Sequence, residues 1–314
     1  MLNIVVTCTK RKSVAPADGL SLRDANGRNA KAIVKEWIRR LQCPRPDKVI
    51  AKDLYQGDHW QVANSLLKAD VTKSTVKLWV CSAGYGLIPV SVPIAPYSAT
   101  FSKNHPDSVI DRLGDSLEVL RFWWESLAEW GGPVADSPRT LTEIASRDRG
   151  SRILVAASDQ YLQAMRSDLE GARSSLGDAR QLVIFSGSGN LSGELSSNLV
   201  SCDARMQKLL GGSLMSLNIR TLRWAIAGSE GSQVTPESVR EKLSKCVQQQ
   251  PVIQRNSRTT LSDDQIKSFI IDNQHLERRA SATTMLQTLR LRGYACEQKR
   301  FKALFSESME ALHG

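Results

Sequence analysis

Leu2-Asn3-Ile4-Val5-Val6-Thr7-Cys8 is a short, β-branched apolar run that meets the basic Lys10-Arg11-Lys12, and it reads as a buried strand. Runs of the same kind recur at Val49–Ala51, Val76–Cys81, Ile153–Ala157, Leu182–Phe185 and Leu199–Cys202. Amphipathic stretches separate them. Ala30–Leu41 carries Ile33, Val34, Trp37, Ile38 and Leu41 at helical spacing, and Asp58–Leu67 puts Trp60, Val62, Ala63 and Leu66 on one face. Ser108–Trp130 reads as one long helix stopped by Gly131-Gly132-Pro133, its Trp123, Trp124 and Trp130 belonging to the core. Gln160–Leu169 and Asn218–Ile226 complete the set, and Ser82–Tyr97 is rich in turn residues. Short apolar strands alternating with helices predict an α/β fold whose mainly parallel sheet is sandwiched by helices. Ligands in such folds bind at the carboxyl ends of the strands, which is where chemistry is expected.

The 314 residues suffice for about two domains, and 41% apolar with 24% charged residues is ordinary for a globular chain. The net charge of +10 favours polyanionic partners. Six cysteines and four histidines are scattered without a CxxC pair, so no metal, iron–sulfur cluster or disulfide framework is expected, and free thiols fit a reducing cytoplasm. The first residues run directly into a strand and no apolar run nears a bilayer's width, so neither a signal peptide nor a membrane span is expected.

Gly228–Pro236, GSEGSQVTP, is small, polar and rich in breakers, and sets the expected boundary between domains 1–228 and 236–314. In the second, Pro236–Cys246 reads as a helix. Ser262 and Gln265 form a capping-box pattern ahead of Ile266, Phe269 and Ile270. Ala280–Arg292 follows with Met285, Leu286 and Leu289 inward and Gly293 as its stop. Tyr294–Glu297 and Arg300–Leu304 are expected to pair as a hairpin. Helix, helix, hairpin is the order of a winged helix-turn-helix. Arg278, Arg279, Arg290, Arg292, Lys299, Arg300 and Lys302 against the single acid Glu297 suit a DNA backbone, with double-stranded DNA the expected partner and no protein partner evident. Ser281, Thr283, Thr284, Gln287 and Thr288 offer short hydrogen-bonding groups beside them. The alternative is a solvated helical tail that binds protein.

Several strand ends are expected at one rim: Cys8-Thr9-Lys10-Arg11-Lys12; Lys52-Asp53-Leu54-Tyr55; Ser82-Ala83-Gly84-Tyr85-Gly86-Leu87-Ile88-Pro89 with Pro96-Tyr97; Ser158-Asp159-Gln160-Tyr161; and Ser186-Gly187-Ser188-Gly189. They offer cations for phosphate, carboxylates for water activation and rings for stacking, although Asp53 and Asp159 equally suit helix N-caps. The pattern CTKRK, KDLY, SAGYGLIP and APY resembles the YaaA-like proteins and related domains found with tRNA-guanine transglycosylases and 7-deazaguanine DNA modification, over roughly residues 1–225. Those domains look like uracil-DNA glycosylases in fold, and some relatives are similar to phage-defence glycosylases that excise modified bases.

The resemblance implies nucleobase chemistry on DNA with the base flipped out. It would put Lys10 and Lys12 near phosphate, Asp53 near the sugar, and Tyr85 and Tyr97 around the base. Cys8, Tyr55, Ser82, Gly84 and Ser186 complete the expected base pocket. Cleaving an N-glycosidic bond develops positive charge on the sugar and negative charge on the base. Asp53 or Asp159 would serve the first, and Lys10, a tyrosine hydroxyl or backbone amides near Gly84 the second, with no cofactor. Uracil-DNA glycosylases carry a water-activating acid or amide just after their first strand. CTKRK has no carboxylate, and Asp18 and Asp24 are the nearest, which leaves the catalytic acid open among Asp53, Asp159, Asp18 and Asp24. The leading expectation is a DNA glycosylase releasing a modified base, such as glucosylated hydroxymethylcytosine, from phage DNA. The alternatives are a DNA-binding regulator or modified-base reader, and a base-exchanging transglycosylase. GxxxxGK[ST] is absent, which argues against a P-loop nucleotidase.

Overall fold

A computed structural model of the chain describes residues 1–68, 75–114, 116–187, 191–227, 234–251, 258–274 and 281–313. The chain divides into two compact units, Met1–Pro251 and Val252–Gly314.

The first unit is built on a six-stranded sheet of β1 (Leu2–Thr7), β2 (Val76–Ser82), β3 (Gly86–Pro89), β4 (Arg152–Ala156), β5 (Leu182–Ser186) and β6 (Leu199–Ser201), in the spatial order β3-β2-β1-β4-β5-β6. All pairings are parallel except β2 with β3, a hairpin that puts a strand within the turn-rich segment 82–97. β1 is paired on both sides, Val5 opposite Trp79 on β2 and Val155 on β4. Every residue of β1 and β5 is buried, as strands covered on both faces must be.

Helices α1 (Ala30–Gln42), α2 (Asp58–Ser65), α3 (Leu117–Glu129), α4 (Leu141–Arg147), α5 (Asp159–Ala164), α6 (Arg166–Ser175), α7 (Leu217–Ala227) and α8 (Pro236–Gln248) flank the sheet. The single helix expected over Ser108–Trp130 is two, Val109–Leu113 and α3. Gly114 between them has φ +122°, which ends the first, and the Ser116 side chain accepts from the Val119 amide at 3.2 Å to cap the second. Trp123 and Trp124 are core residues and Trp130 is half-buried. The stretch from Asp159 likewise forms two helices, α5 and α6.

α8, expected in the C-terminal module, belongs to the first unit. Its Val239, Leu243 and Val247 join that unit's core, and Arg152 Nη1 holds the Val234 carbonyl at 2.9 Å just before it. The chain therefore divides after this helix, and much of the proposed boundary, 228–233, lies outside the described residues.

The second unit contains α9 (Asp263–Gln274), α10 (Ala282–Leu291) and α11 (Gln298–His313), with β7 (Thr259–Thr260) pairing parallel to β8 (Tyr294–Ala295). Ser262 and Gln265 make the expected reciprocal capping bonds, and Gly293 at φ +86° follows α10. The expected wing hairpin is absent. Arg300–Leu304 lies inside α11, because Phe301, Leu304, Phe305 and Ser308 recur at three- and four-residue spacing and face the core formed with Ile266, Ile270 and Leu289.

Candidate nucleotide cleft

The sheet order reverses at β1. One crossover leads from it to β2, and the chain later returns to place β4 on its other side. Reversal points leave a crevice outside the carboxyl ends of the two strands. A cleft of about 310 Å³ lies there, lined by Thr7 at the end of β1, Cys8, Thr9 and Lys10 after it, and Ser158 and Tyr161 following β4. His59 of α2, Ala99, Thr100, Ser102, Met215 and Asn218 of α7 close it. α2 is brought to this place by its preceding segment. Gln56 N donates to the Arg11 carbonyl at 3.0 Å and to Thr9 Oγ1 at 3.3 Å, and Lys12 bridges Tyr55.

Two lysines follow β1. Lys10 is exposed at the cleft. Lys12 is half-buried, its Nζ donating to the Thr9 carbonyl at 3.3 Å and lying 4.4 Å from the Tyr97 ring centre and 5.8 Å from that of Tyr55. Burial pulls the Lys12 ammonium below its ordinary pKa, against the field of Cys8 and Asp107. Asp107 is fully buried and accepts from the Arg23 amide and Nε at 2.9 Å, Arg23 Nη2 at 2.6 Å and Ser98 Oγ at 2.6 Å. Burial alone would raise its pKa, but these donors outweigh it and hold the carboxyl at about 2. His105 accepts from the Asp107 amide through Nδ1 at 3.1 Å. Its pKa is lowered first by burial, which outweighs the opposing field of Asp107, and further by the nearby Lys10, Arg23 and Lys12. The end of β1 is thus a cationic rim with one buried, fully engaged carboxylate.

The expected base pocket is a packed layer beneath that rim. Tyr55 and Tyr97 join hydroxyls at 3.0 Å, and Tyr97 meets Ser82 Oγ at 2.6 Å. Ser82 Oγ also accepts from the amides of Gly84 at 3.2 Å and Tyr85 at 3.0 Å. Trp123 and Trp37 donate to the Ala83 and Gly84 carbonyls at 2.7 and 2.8 Å, and the buried Arg139 guanidinium holds the carbonyls of Tyr85 and Leu87. Tyr55, Ser82 and Tyr97 are buried, and burial drives both tyrosine pKa values well up. Gly84 is dictated by packing, since a Cβ there would stand 2.4 Å from the Tyr97 ring.

Of the residues expected around the base, Cys8 lines the cleft, its Sγ 3.1 Å from the Tyr161 hydroxyl. Tyr85 instead donates to the Ala95 carbonyl at 3.1 Å and borders a different pocket of about 370 Å³ with Arg45 and Trp130. Ser186 is buried at the end of β5, and the following Ser188 and Gly189 lie outside the described residues. Asp53, expected at the sugar, is exposed within the short helix Ala51–Leu54, 3.4 Å from Lys52 Nζ, and does not line the cleft. Asp159 opens α5 between Ser158 and Tyr161, half-buried, next to the cleft without lining it. Neither aspartate caps a helix.

Sequence reasoning missed His59, Asn218, Met215, Thr100, Arg23 and Asp107. No motif marks them, and the Arg23–Asp107 pair is 84 residues apart. Burial pulls His59 down to a pKa of about 4 against the opposing field of Asp58, and its Nε2 is buried without a hydrogen-bond partner among the described residues. Asp58 itself is held by Ser216 and Arg220. Among the described residues no three His, Cys, Asp or Glu side chains gather as metal ligands would, and no helix is long and apolar enough to cross a membrane.

In the second unit, several expected DNA contacts have internal partners. Arg290 Nη2 donates to the Cys296 carbonyl at 3.1 Å, Arg292 Nη2 to Asn273 Oδ1 at 2.9 Å, and Arg300 Nε to Asp263 Oδ1 at 2.8 Å. Lys299 and Lys302 are exposed and form no ion pair among the described residues. α10 exposes Thr283, Thr284, Gln287 and Leu291. Arg278 and Arg279 lie outside the described residues.

Fold and cleft together define an α/β protein with a strand-reversal crevice and a separate small helical unit. No model of a known family, no curated protein and no solved structure matches the chain.

Proposed function

We propose that the protein binds DNA, takes one nucleotide into the β1–β4 cleft and hydrolyses its N-glycosidic bond, releasing a modified base. The observation that carries this reading is a cleft of about 310 Å³, near the lower end for small-ligand sites, lined by Lys10, with Lys12 two residues further along the same segment. A ring would sit within, with the phosphate on its sugar at Lys10. Asp159, beside the cleft, replaces Asp53 as the carboxylate for the sugar, because the Asp53 side chain is solvated elsewhere. Extruding a base costs a few kcal/mol, least for bases whose pairing is already altered, which favours a modified substrate. The second unit adds phosphate contacts through Lys299, Lys302 and the polar face of α10.

A non-catalytic reader of modified bases is the second reading. It is favoured by one observation: no Asp or Glu is among the described residues that line the cleft. Incubation with plain, hydroxymethylated and glucosylated phage DNA, then alkali cleavage and mass analysis of released bases, separates the two. Released base with alkali-sensitive sites establishes the glycosylase. Intact DNA that remains bound establishes the reader, and incorporation of a labelled free base identifies a transglycosylase.

A further inference from the structure

We infer that the β1–β4 cleft is a pocket for a single planar nitrogen heterocycle of the nucleobase type, recognised through hydrogen bonds by His59 and Asn218. This rests on the reading above only for where the heterocycle comes from.

Three observations converge. The first is an incomplete hydrogen-bond set. His59 lines the cleft, and its Nε2 is buried with no hydrogen-bond partner among the described residues. A buried nitrogen left so is costly unless a ligand completes it. Burial keeps this imidazole neutral at physiological pH, so it brings one donor and one acceptor rather than a charge. The second is Asn218, mostly buried on the same cleft. Its Oδ1 accepts from the Ile219 amide at 2.8 Å, which fixes the carboxamide and leaves its NH₂ without a hydrogen-bond partner among the described residues. A fixed amide offering donors beside a neutral imidazole matches the carbonyl and ring-nitrogen edge of a base.

The third is the apolar part of the wall, Tyr161, Ala99 and Met215. Tyr161 is held edge-on to Phe101, ring centres 4.8 Å apart, and at its hydroxyl by Cys8, so it gives a fixed aromatic surface for a ring. Among the described residues the lining holds no carboxylate, as befits a site for electron-rich carbonyl edges.

The test uses the full-length protein, labelled with ¹⁵N, titrated with free cytosine, 5-hydroxymethylcytosine, thymine, adenine and hypoxanthine. The Asn218 side-chain NH₂ and His59 ring-nitrogen signals are followed. Saturable shifts at both residues with at least one base, and binding weakened tenfold or more in Asn218→Ala and His59→Gln, are expected. Absence of a shift at both residues with every base to its solubility limit overturns the inference, as do variants that bind like wild type. The wild-type titration needs no variant to fold. The two proposals fail separately. Saturable shifts with modified DNA left intact keep the pocket and remove the hydrolysis. Base release that Asn218→Ala and His59→Gln sustain at the wild-type rate keeps the hydrolysis and removes this pocket.

Discussion

Lys12 holds its ammonium 4.4 Å from the centre of the Tyr97 ring, and no carboxylate among the described residues pairs with it. A cation over an aromatic face gains part of what it loses in leaving water, but a half-buried charge answered by one carbonyl and two rings is under-compensated. Such a site is destabilising when empty and selective when an anion arrives. The tyrosine layer below is thus a floor under the cation rather than a surface for the base.

Lys12→Met is expected to raise stability at pH 7 by about 1 kcal/mol while weakening binding of phosphate-bearing ligands. The sign with pH follows from the lowered Lys12 pKa. Between its folded value and 10.5 the unfolded chain holds a proton that the folded chain has lost, so wild-type stability rises with pH there. The advantage of Lys12→Met therefore shrinks toward pH 10.5. Urea midpoints of the two proteins from pH 7 to 10.5 check this, and parallel curves would refute an uncompensated ammonium.

His59 follows the same sign in a more acidic window. Its folded pKa of about 4 lies below the usual 6.5, so the unfolded chain takes up the proton first as pH falls. Its contribution to stability is complete above pH 6.5 and is lost progressively down to about pH 4, amounting to about 3 kcal/mol. His59→Gln should lack that loss. The difference between the two pH–stability curves reads it directly.

Gly84→Ala would drive a Cβ into the Tyr97 ring, which is held at its hydroxyl by Ser82 and Tyr55. The expected cost is about 3 kcal/mol, the upper part of the range for overpacking a core. Denaturation midpoints measure it. A neutral result would mean that the Tyr97 ring moves freely and is no fixed floor under Lys12.

How much of this was legible in the sequence depended on distance along the chain. Short continuous β-branched runs and helical spacing announced the strands and most helices, because burial on two faces or one leaves those patterns locally. The hairpin expected over residues 294–304 failed for a similar local reason. Tyr294 and Ala295 do form a strand, but Phe301, Leu304 and Phe305 also satisfy a helix, and packing against α9 decides for it. The basic end of β1 was visible, yet the opposite wall of the cleft was not. His59, Thr100 and Asn218 meet only through the sheet's crossovers, and nothing beside them in sequence marks that meeting. Asp53 misled because a strand-end acid looks the same whether it faces a cleft or solvent.

The same distinction between placed and free cations governs the second unit. Arg290, Arg292 and Arg300 looked like the natural probes of DNA binding, but each already donates to a group of its own unit. Removing Arg300 would break its contacts to Asp263 and the Leu261 carbonyl, so lost affinity would be confounded with lost structure. Lys299 and Lys302 carry no such role. Each phosphate contact contributes close to one counterion to the salt dependence of binding. The double variant Lys299→Ala, Lys302→Ala should therefore keep the wild-type melting temperature and lower the slope of log affinity against log salt by roughly 2, if both reach phosphate. Binding to a duplex by anisotropy at several salt concentrations measures this. An unchanged slope would take DNA contact away from this start of α11 and return the unit to the protein-binding alternative.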